Sequence, residues 1–250
     1  MRLTPLALSL AIAGLGCDDA ERPKNPFDPS PSKAKEPPPI TEAPKSPPDF
    51  HIDTISAKVG FSQALLDKPE GKQKLAEALS EHREMVTGKT PVLRVDRKAR
   101  LPWVATYIDE LSKLGADKIT VKTETRDEFP KELLFVPEDR VPSPASCSVV
   151  AMVLDDRGTA VWKLSGGVAS KRSKGFAGPD LTMTGETLQR FGKACRESDF
   201  LFVSAAEEIE WGLAYDLAAS AKKVEKTHYD KVVLLRQVPV PGHKVDLGGP

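Results

Sequence analysis

The sequence predicts an α+β fold: two tandem small β-β-α-β-α-β domains, each with its helices packed on one face of a mixed sheet, after a disordered proline-rich tether. Three observations predict it. The first is an internal repeat: residues 91–114 (PVLRVDRKARLPWVATYIDELSKL) align without a gap with residues 199–222 (DFLFVSAAEEIEWGLAYDLAASAK), an offset of 108 positions. Leu93 meets Leu201, Val95 meets Val203, Leu101 meets Ile209, Trp103 meets Trp211 and Tyr107 meets Tyr215. The chain has only three Trp and three Tyr, so two aromatic matches in one register mark a duplication. The period is too long for a solenoid unit of roughly 20–50 residues and suits a small domain. The second observation is that short β-prone runs alternate with stretches of helical spacing in both copies. The third is compositional: ten prolines fall between Pro23 and Pro48, among Lys, Glu, Ser and Asp. Such a segment cannot bury a core and stays extended and solvated.

The N-terminus reads as an export signal. Met1-Arg2 is a short basic start, and Leu3–Leu15 carries no charge. That run is too short to span a bilayer core, which needs roughly 20 apolar residues, but has the length of a secretory h-region. Gly14-Leu15-Gly16-Cys17 follows, then Asp18-Asp19. This resembles a bacterial lipobox with Cys17 as the lipidated residue; the rival reading is an ordinary signal peptide cut after Ala11-Ile12-Ala13. Acyl chains contribute about 0.8 kcal/mol per buried CH₂, so lipidation would anchor the chain without a transmembrane helix. The expected organisation is a signal peptide over 1–16, a tether over 17–49, one repeat over 50–124 and a linker over 125–146. A second repeat follows over 147–240, then a flexible tail over 241–250.

In the first repeat, residues 50–56 read as a strand, with no legible hairpin turn after it. Leu75, Ala78, Leu79 and His82 share one face of a helix over 71–85. Residues 92–95 form a strand. Leu101, Val104, Ala105, Ile108, Leu111 and Leu114 line a second helix, with Pro102 tolerated in its first turn and Gly115 as its C-terminal cap. Residues 119–122 close the unit. The linker holds four prolines, and its Leu133-Leu134-Phe135-Val136 run could add an edge strand. In the second repeat, residues 148–154 and 159–164 form a hairpin around Asp155-Asp156-Arg157-Gly158, with Gly158 able to turn left-handed. A Gly- and Ser-rich loop precedes a helix that Thr184 could cap and that runs to Cys195. Residues 200–204 form a buried strand. Ile209, Leu213, Leu217, Ala221 and Val224 recur at helical spacing, and residues 231–235 close as a strand.

The first repeat resembles the periplasmic domain of the ExbD/TolR biopolymer-transport proteins. The residues that carry the likeness are Pro91–Val95, Asp96, Leu101-Pro102-Trp103, Tyr107–Leu114, Gly115 and Lys118–Val121. The second repeat offers Phe200–Ser204, Ile209-Glu210-Trp211-Gly212, Leu213–Ala221 and Lys231–Leu235, with Ser204 in place of the Asp and Glu210 in place of the Pro. The resemblance implies an envelope protein that binds an envelope partner, a proton-channel subunit or a TonB-like protein. It also implies that the two repeats form an internal pseudo-dimer. Members of that family carry an acidic residue in one N-terminal membrane helix. Here no Asp or Glu lies between Leu3 and Gly16, so the proton-coupling element is missing. The expectation is a non-catalytic lipoprotein on the periplasmic side of a bacterial membrane, held by its lipid alone. The alternative is a cell-wall-binding lipoprotein, with peptidoglycan as the partner, that reuses the fold outside transport.

Charge and motifs exclude other classes. Thirty-six basic residues balance 36 acidic ones, without the basic face that a nucleic-acid partner demands. The four His are scattered, with no metal-ligand spacing, no GxSxG elbow and no Walker loop, so neither enzyme chemistry nor a cofactor is expected. Trp103 with Tyr107, and Trp211 with Tyr215, are i,i+4 neighbours on equivalent helices. They read as packing against the sheet or, alternatively, as a partner-binding patch together with Asp96, itself placed as a turn residue. Cys147 and Cys195 are either a disulfide, expected in an oxidising compartment, or two buried thiols.

Overall fold

The computed structural model describes residues 49–176, 178–222 and 229–247. Cys17, the signal sequence and the tether up to residue 48 lie outside the described residues. The described residues form one compact unit. Among the described residues the fold is mixed α and β, with one large mixed sheet and five α-helices.

The first repeat begins with three short strands, β1 (Phe50–Ile52), β2 (Ala57–Val59) and β3 (Ser62–Ala64). Asp53 makes the first turn: its carboxylate accepts from the backbone N–H of Ile55 and Ser56, at 2.9 and 2.7 Å, and from the Ser56 hydroxyl. The expected single strand over 50–56 is therefore broken at its Asp. Helix α1 (Gly71–Ser80) ends before His82, and a short α2 (Arg83–Val86) follows, so the helix expected over 71–85 is two pieces. Strand β4 (Val92–Val95), helix α3 (Leu101–Lys113) and strand β5 (Ile119–Lys122) occur at the expected positions. Gly115 (φ 94°) closes α3: its N–H reaches Ser112 O and that of Ala116 reaches Leu111 O. These two bonds satisfy carbonyls that the helix end leaves free.

The linker is more than a connector. Its strand β6 (Glu132–Phe135) pairs antiparallel with β5 on one side and parallel with β11 (Lys231–Leu234) on the other. The run expected at an edge thus lies at the centre of the sheet. Its core-facing residues Leu133 and Phe135 are buried, while Glu132 on the other face is exposed. No break between compact units falls at 124 or 147, because β6 joins the two halves through backbone bonds.

The second repeat runs β7 (Val149–Val153), β8 (Thr159–Lys163), β9 (Ser170–Arg172), α4 (Leu181–Ala194), β10 (Phe200–Ala205), α5 (Trp211–Lys222) and β11. Strand β9 lies inside the Gly- and Ser-rich stretch and has no apolar signature. Arg157 (φ 62°), not Gly158, takes the left-handed position of the β7–β8 turn. Asp180 rather than Thr184 caps α4: its carboxylate accepts from Met183 N at 3.1 Å, while Thr184 lies one turn in and bonds the Asp180 carbonyl.

The strand order is β3-β2-β1-β4-β5-β6-β11-β10-β7-β8-β9. Read outward from β6, both sides give the same sequence of equivalent strands. The helices touch in series, α1 on α3, α3 on α5 and α5 on α4. Phe50 packs edge-on against Tyr107 of α3, and Thr159 bonds Thr184 of α4, which identifies the helical face of the sheet in each half. Among the described residues no helix is long and apolar enough to cross a membrane.

Candidate interaction surface

Side chains alternate across a strand, so residues next to those facing the helices point to the opposite face. In the first half, the backbone register sets Lys58 beside His51, His51 beside Arg94 and Arg94 beside Lys122. In the second half the corresponding register sets Trp162 beside Val150, Val150 beside Phe202 and Phe202 beside Val233. The two rows occupy equivalent positions on equivalent strands. One is basic and polar; the other is wholly apolar.

Their surroundings differ accordingly. The apolar row is buried. After β11 the chain returns to the Trp162 end of it: Trp162 Nε1 donates to His243 O at 2.9 Å, Gly167 N to Gly242 O at 2.8 Å, and Val245 N to Leu164 O at 2.9 Å. Val245 and Leu247 pack on the core. Through Leu247 the expected flexible tail is instead a strap, held because Trp162 offers both apolar area and an N–H that needs a partner when buried.

The polar row is open. A cleft of about 660 Å³ is lined by Asp49, Phe50, Met85, Lys89, Thr90, Pro91, Val92, Arg94 and Lys122. A second, of about 430 Å³, shares Arg94 and Lys122 and adds His51, Asp96, Lys131 and Glu132 among others. Most cations of the surface have a close carboxylate. Lys58 Nζ lies 2.8 Å from Asp53, Lys122 Nζ 2.5 Å from Glu132 and Lys131 Nζ 3.4 Å from Glu124. His51 Nε2 lies 3.3 Å from Asp96. Among the described residues Arg94 has only a long ion pair, 3.8 Å to Asp49, with its side chain 65% exposed, and Lys89 in the same cleft has no carboxylate within 4.0 Å. Burial acts to raise the Asp53 carboxyl, but the Lys58 bond and the turn's N–H donors outweigh it and hold it at about 2. The ammonium of Lys58 is raised in turn by its bond to Asp53.

The aromatic pairs expected from sequence lie elsewhere. Trp103, Tyr107, Trp211 and Tyr215 are all buried, so they are unavailable as a partner-binding patch, and packing accounts for them. Tyr107 donates to Lys58 O at 2.8 Å within the first repeat. In the second, Trp211 Nε1 donates to Thr123 Oγ1 at 2.8 Å and Tyr215 to Pro130 O at 3.2 Å. The equivalent residues thus have different tasks: Tyr107 braces its own half, whereas Trp211 reaches the end of the first repeat and Tyr215 the linker. Burial raises the phenols of Tyr107 and Tyr215 well above their ordinary range. Asp96 is half-exposed and borders the smaller cleft, the one expected contact residue that lies on the open surface. Its side chain is held by His51 rather than by turn N–H groups.

Cys147 and Cys195 are joined by a disulfide with a Cα–Cα distance of 5.5 Å, tying the entry of β7 to the end of α4. Cys17 lies outside the described residues. Sequence reasoning missed Lys58, His51, Arg94 and Lys122. The signal was present in the repeat alignment, where Arg94 falls on Phe202: an outward strand position changes from apolar to charged between two copies of one unit. No protein family, curated protein or solved structure matches the chain in comparisons with each.

Proposed function

We propose that this protein is a non-catalytic, lipid-anchored envelope protein that binds a partner protein through the open face of its first half-sheet. It acts as an accessory component of an ExbD/TolR-type biopolymer transport or energy-transduction system, without that family's proton-coupling helix. Cys17 carries the lipid, and the folded unit works on the periplasmic side. The two repeats are a fused pseudo-dimer; the mirrored strand order about β6 supports this part of the reading.

One observation carries the proposal: the same face is covered in one half and open in the other. In the second half the row is Trp162, Val150, Phe202 and Val233, all buried, with the chain's own strap over its Trp162 end. In the first half the row is charged and bordered by two clefts. A duplicated unit that keeps its fold while exchanging a covered apolar row for an exposed polar one has specialised one face for contact with something else. Polar rims and Arg are features of non-obligate protein interfaces.

The test is crosslinking in the native membrane fraction, with a photoreactive residue placed at Thr120, which faces the same side beside Val92. Recovery of a multi-span channel subunit or a TonB-like protein is expected. Recovery of peptidoglycan fragments would replace the transport reading with cell-wall binding. Crosslinks only from sites on the helical side would overturn the choice of face.

A further inference from the structure

Taking the open face as the binding surface, we infer that the cleft at Lys89, Arg94 and Lys122 holds an extended acidic segment of the partner protein. A carboxylate of that segment pairs with Arg94, and an apolar side chain two residues away rests on Val92.

Charge selects the occupant. The larger cleft sets Lys89, Arg94 and Lys122 against a single carboxylate, Asp49. Lys122 already has Glu132 at 2.5 Å, but Arg94 is held only by the 3.8 Å approach of Asp49 among the described residues. That is about 1 Å longer than a charge-assisted hydrogen bond. A guanidinium presents a planar fork that accepts a carboxylate on two parallel bonds, so a partner's Asp or Glu completes what Asp49 does not.

Geometry selects the spacing. Val92 and Arg94 are alternate residues of β4 and point to the same face, about 6.7 Å apart. Val92 is 41% exposed, with Met85 and Pro91 beside it in the cleft wall. An extended chain laid along β4 repeats its own side chains at the same interval, so an apolar residue and an acidic residue at i and i+2 meet Val92 and Arg94 together. At the equivalent positions of the second half, Phe200 and Phe202 lie with ring centroids 6.4 Å apart, and the neighbouring Lys231 ammonium, 5.0 Å from the Phe200 ring, is already bonded to Asp199 at 2.5 Å, so no guanidinium stands there to read an acidic segment.

The experiment uses the full chain carrying Cys17→Ala, which removes the lipid-acceptor thiol. A synthetic peptide of alternating Val-Thr-Glu-Thr units is titrated by calorimetry, with a Val-Thr-Lys-Thr peptide as control. The acidic peptide is expected to bind, more weakly at high salt, and the lysine peptide not to bind. Arg94→Gln is expected to weaken binding by roughly tenfold or more, since it removes a charge-assisted bidentate pair. Arg94→Lys should retain part of it, and Lys171→Gln on the far edge strand all of it. Equal binding of the two peptides, no binding of the acidic one, no effect of Arg94→Gln, or preference for phosphatidylglycerol vesicles over the peptide would each overturn the inference. If Thr120 crosslinks a partner while the acidic peptide fails, this inference falls and the proposed function stands. If Thr120 captures nothing, the open-face reading itself falls.

Discussion

Arg97, in the loop after β4 of the first repeat, grips Asp216 in the middle of α5 of the second. Its Nη1 and Nη2 donate to the two carboxylate oxygens at 2.9 and 2.7 Å, and Nη1 also donates to Glu124 O at 2.8 Å. The Thr125 hydroxyl donates to the same carboxylate. Asp216 is buried, while the Arg97 side chain is about one-third exposed. The bond to Asp216 raises the guanidinium's proton affinity further. Asp216 thus collects one partner from the first repeat and one from the linker, and the pair fixes how the halves sit on each other.

Removing one partner leaves a buried charge. Arg97→Met is expected to destabilise the protein by about 3 kcal/mol or more, because the Asp216 carboxylate keeps its desolvation cost and loses its counter-charge. The double variant Arg97→Met/Asp216→Leu should cost much less than the sum of the single changes. Urea unfolding of the four proteins of this cycle measures the coupling. Additive losses would mean that the pair is not energetically linked.

The strap should behave as part of the core. Trp162→Phe keeps most of the apolar area but removes the bond to His243 O, for an expected loss of about 1 kcal/mol. Truncation after Arg236 uncovers the indole and is expected to cost at least about 2 kcal/mol, from exposed aromatic area at about 25 cal/mol per Å². Tryptophan emission should shift to the red only in the truncated chain. Unchanged emission and stability would mean that the strap is dispensable.

Acid should loosen the β1–β2 turn. Asp53 titrates at about 2 in the folded protein, below its ordinary 3.8, so its carboxylate contributes stability above pH 3.8. That contribution fades as pH falls from 3.8 towards 2, where the folded form also takes up its proton. Asp53→Asn, which cannot ionise, is expected to be less stable than the parent near pH 6, and the gap should close near pH 2. Thermal unfolding of both proteins across this range is the check. A constant gap would assign the turn's stability to geometry alone.

The disulfide should act as a local staple. Cys147 and Cys195 are 48 residues apart, and closing a loop of that size is worth up to about 4 kcal/mol in the chain-entropy view. The Ser148–Ser198 hydroxyl bond, at 2.7 Å, closes the same junction and remains after reduction. Reduction, or Cys147→Ser with Cys195→Ser, is therefore expected to lower stability while leaving the circular dichroism spectrum in place. Hydrogen exchange should rise first around β7 and the end of α4. Uniform loosening, including β1 and β4 far across the sheet, would contradict a local role.

Local signals in the sequence determined most of the elements. Apolar periodicity located α3, α5, β4, β5, β10 and β11, and the aligned Trp and Tyr revealed the duplication. Those signals work because helix and strand spacing is imposed by backbone geometry within a few residues. Alternation along the observed strands turns Arg94 and Phe202 away from their helices, but local spacing does not say what lies over them. Only the tertiary structure decided that β6 sits at the centre, that Trp162 is roofed by residues from the chain's end, and that the Lys58–His51–Arg94–Lys122 row has no such cover from the strap. Each of these depends on pairing between segments far apart in the chain, where the choice of neighbour is set by which surfaces can bury each other rather than by any local preference. The buried aromatic pairs show the same limit: i,i+4 spacing places Trp211 beside Tyr215, yet the Thr123 and Pro130 oxygens that claim them come from another part of the chain.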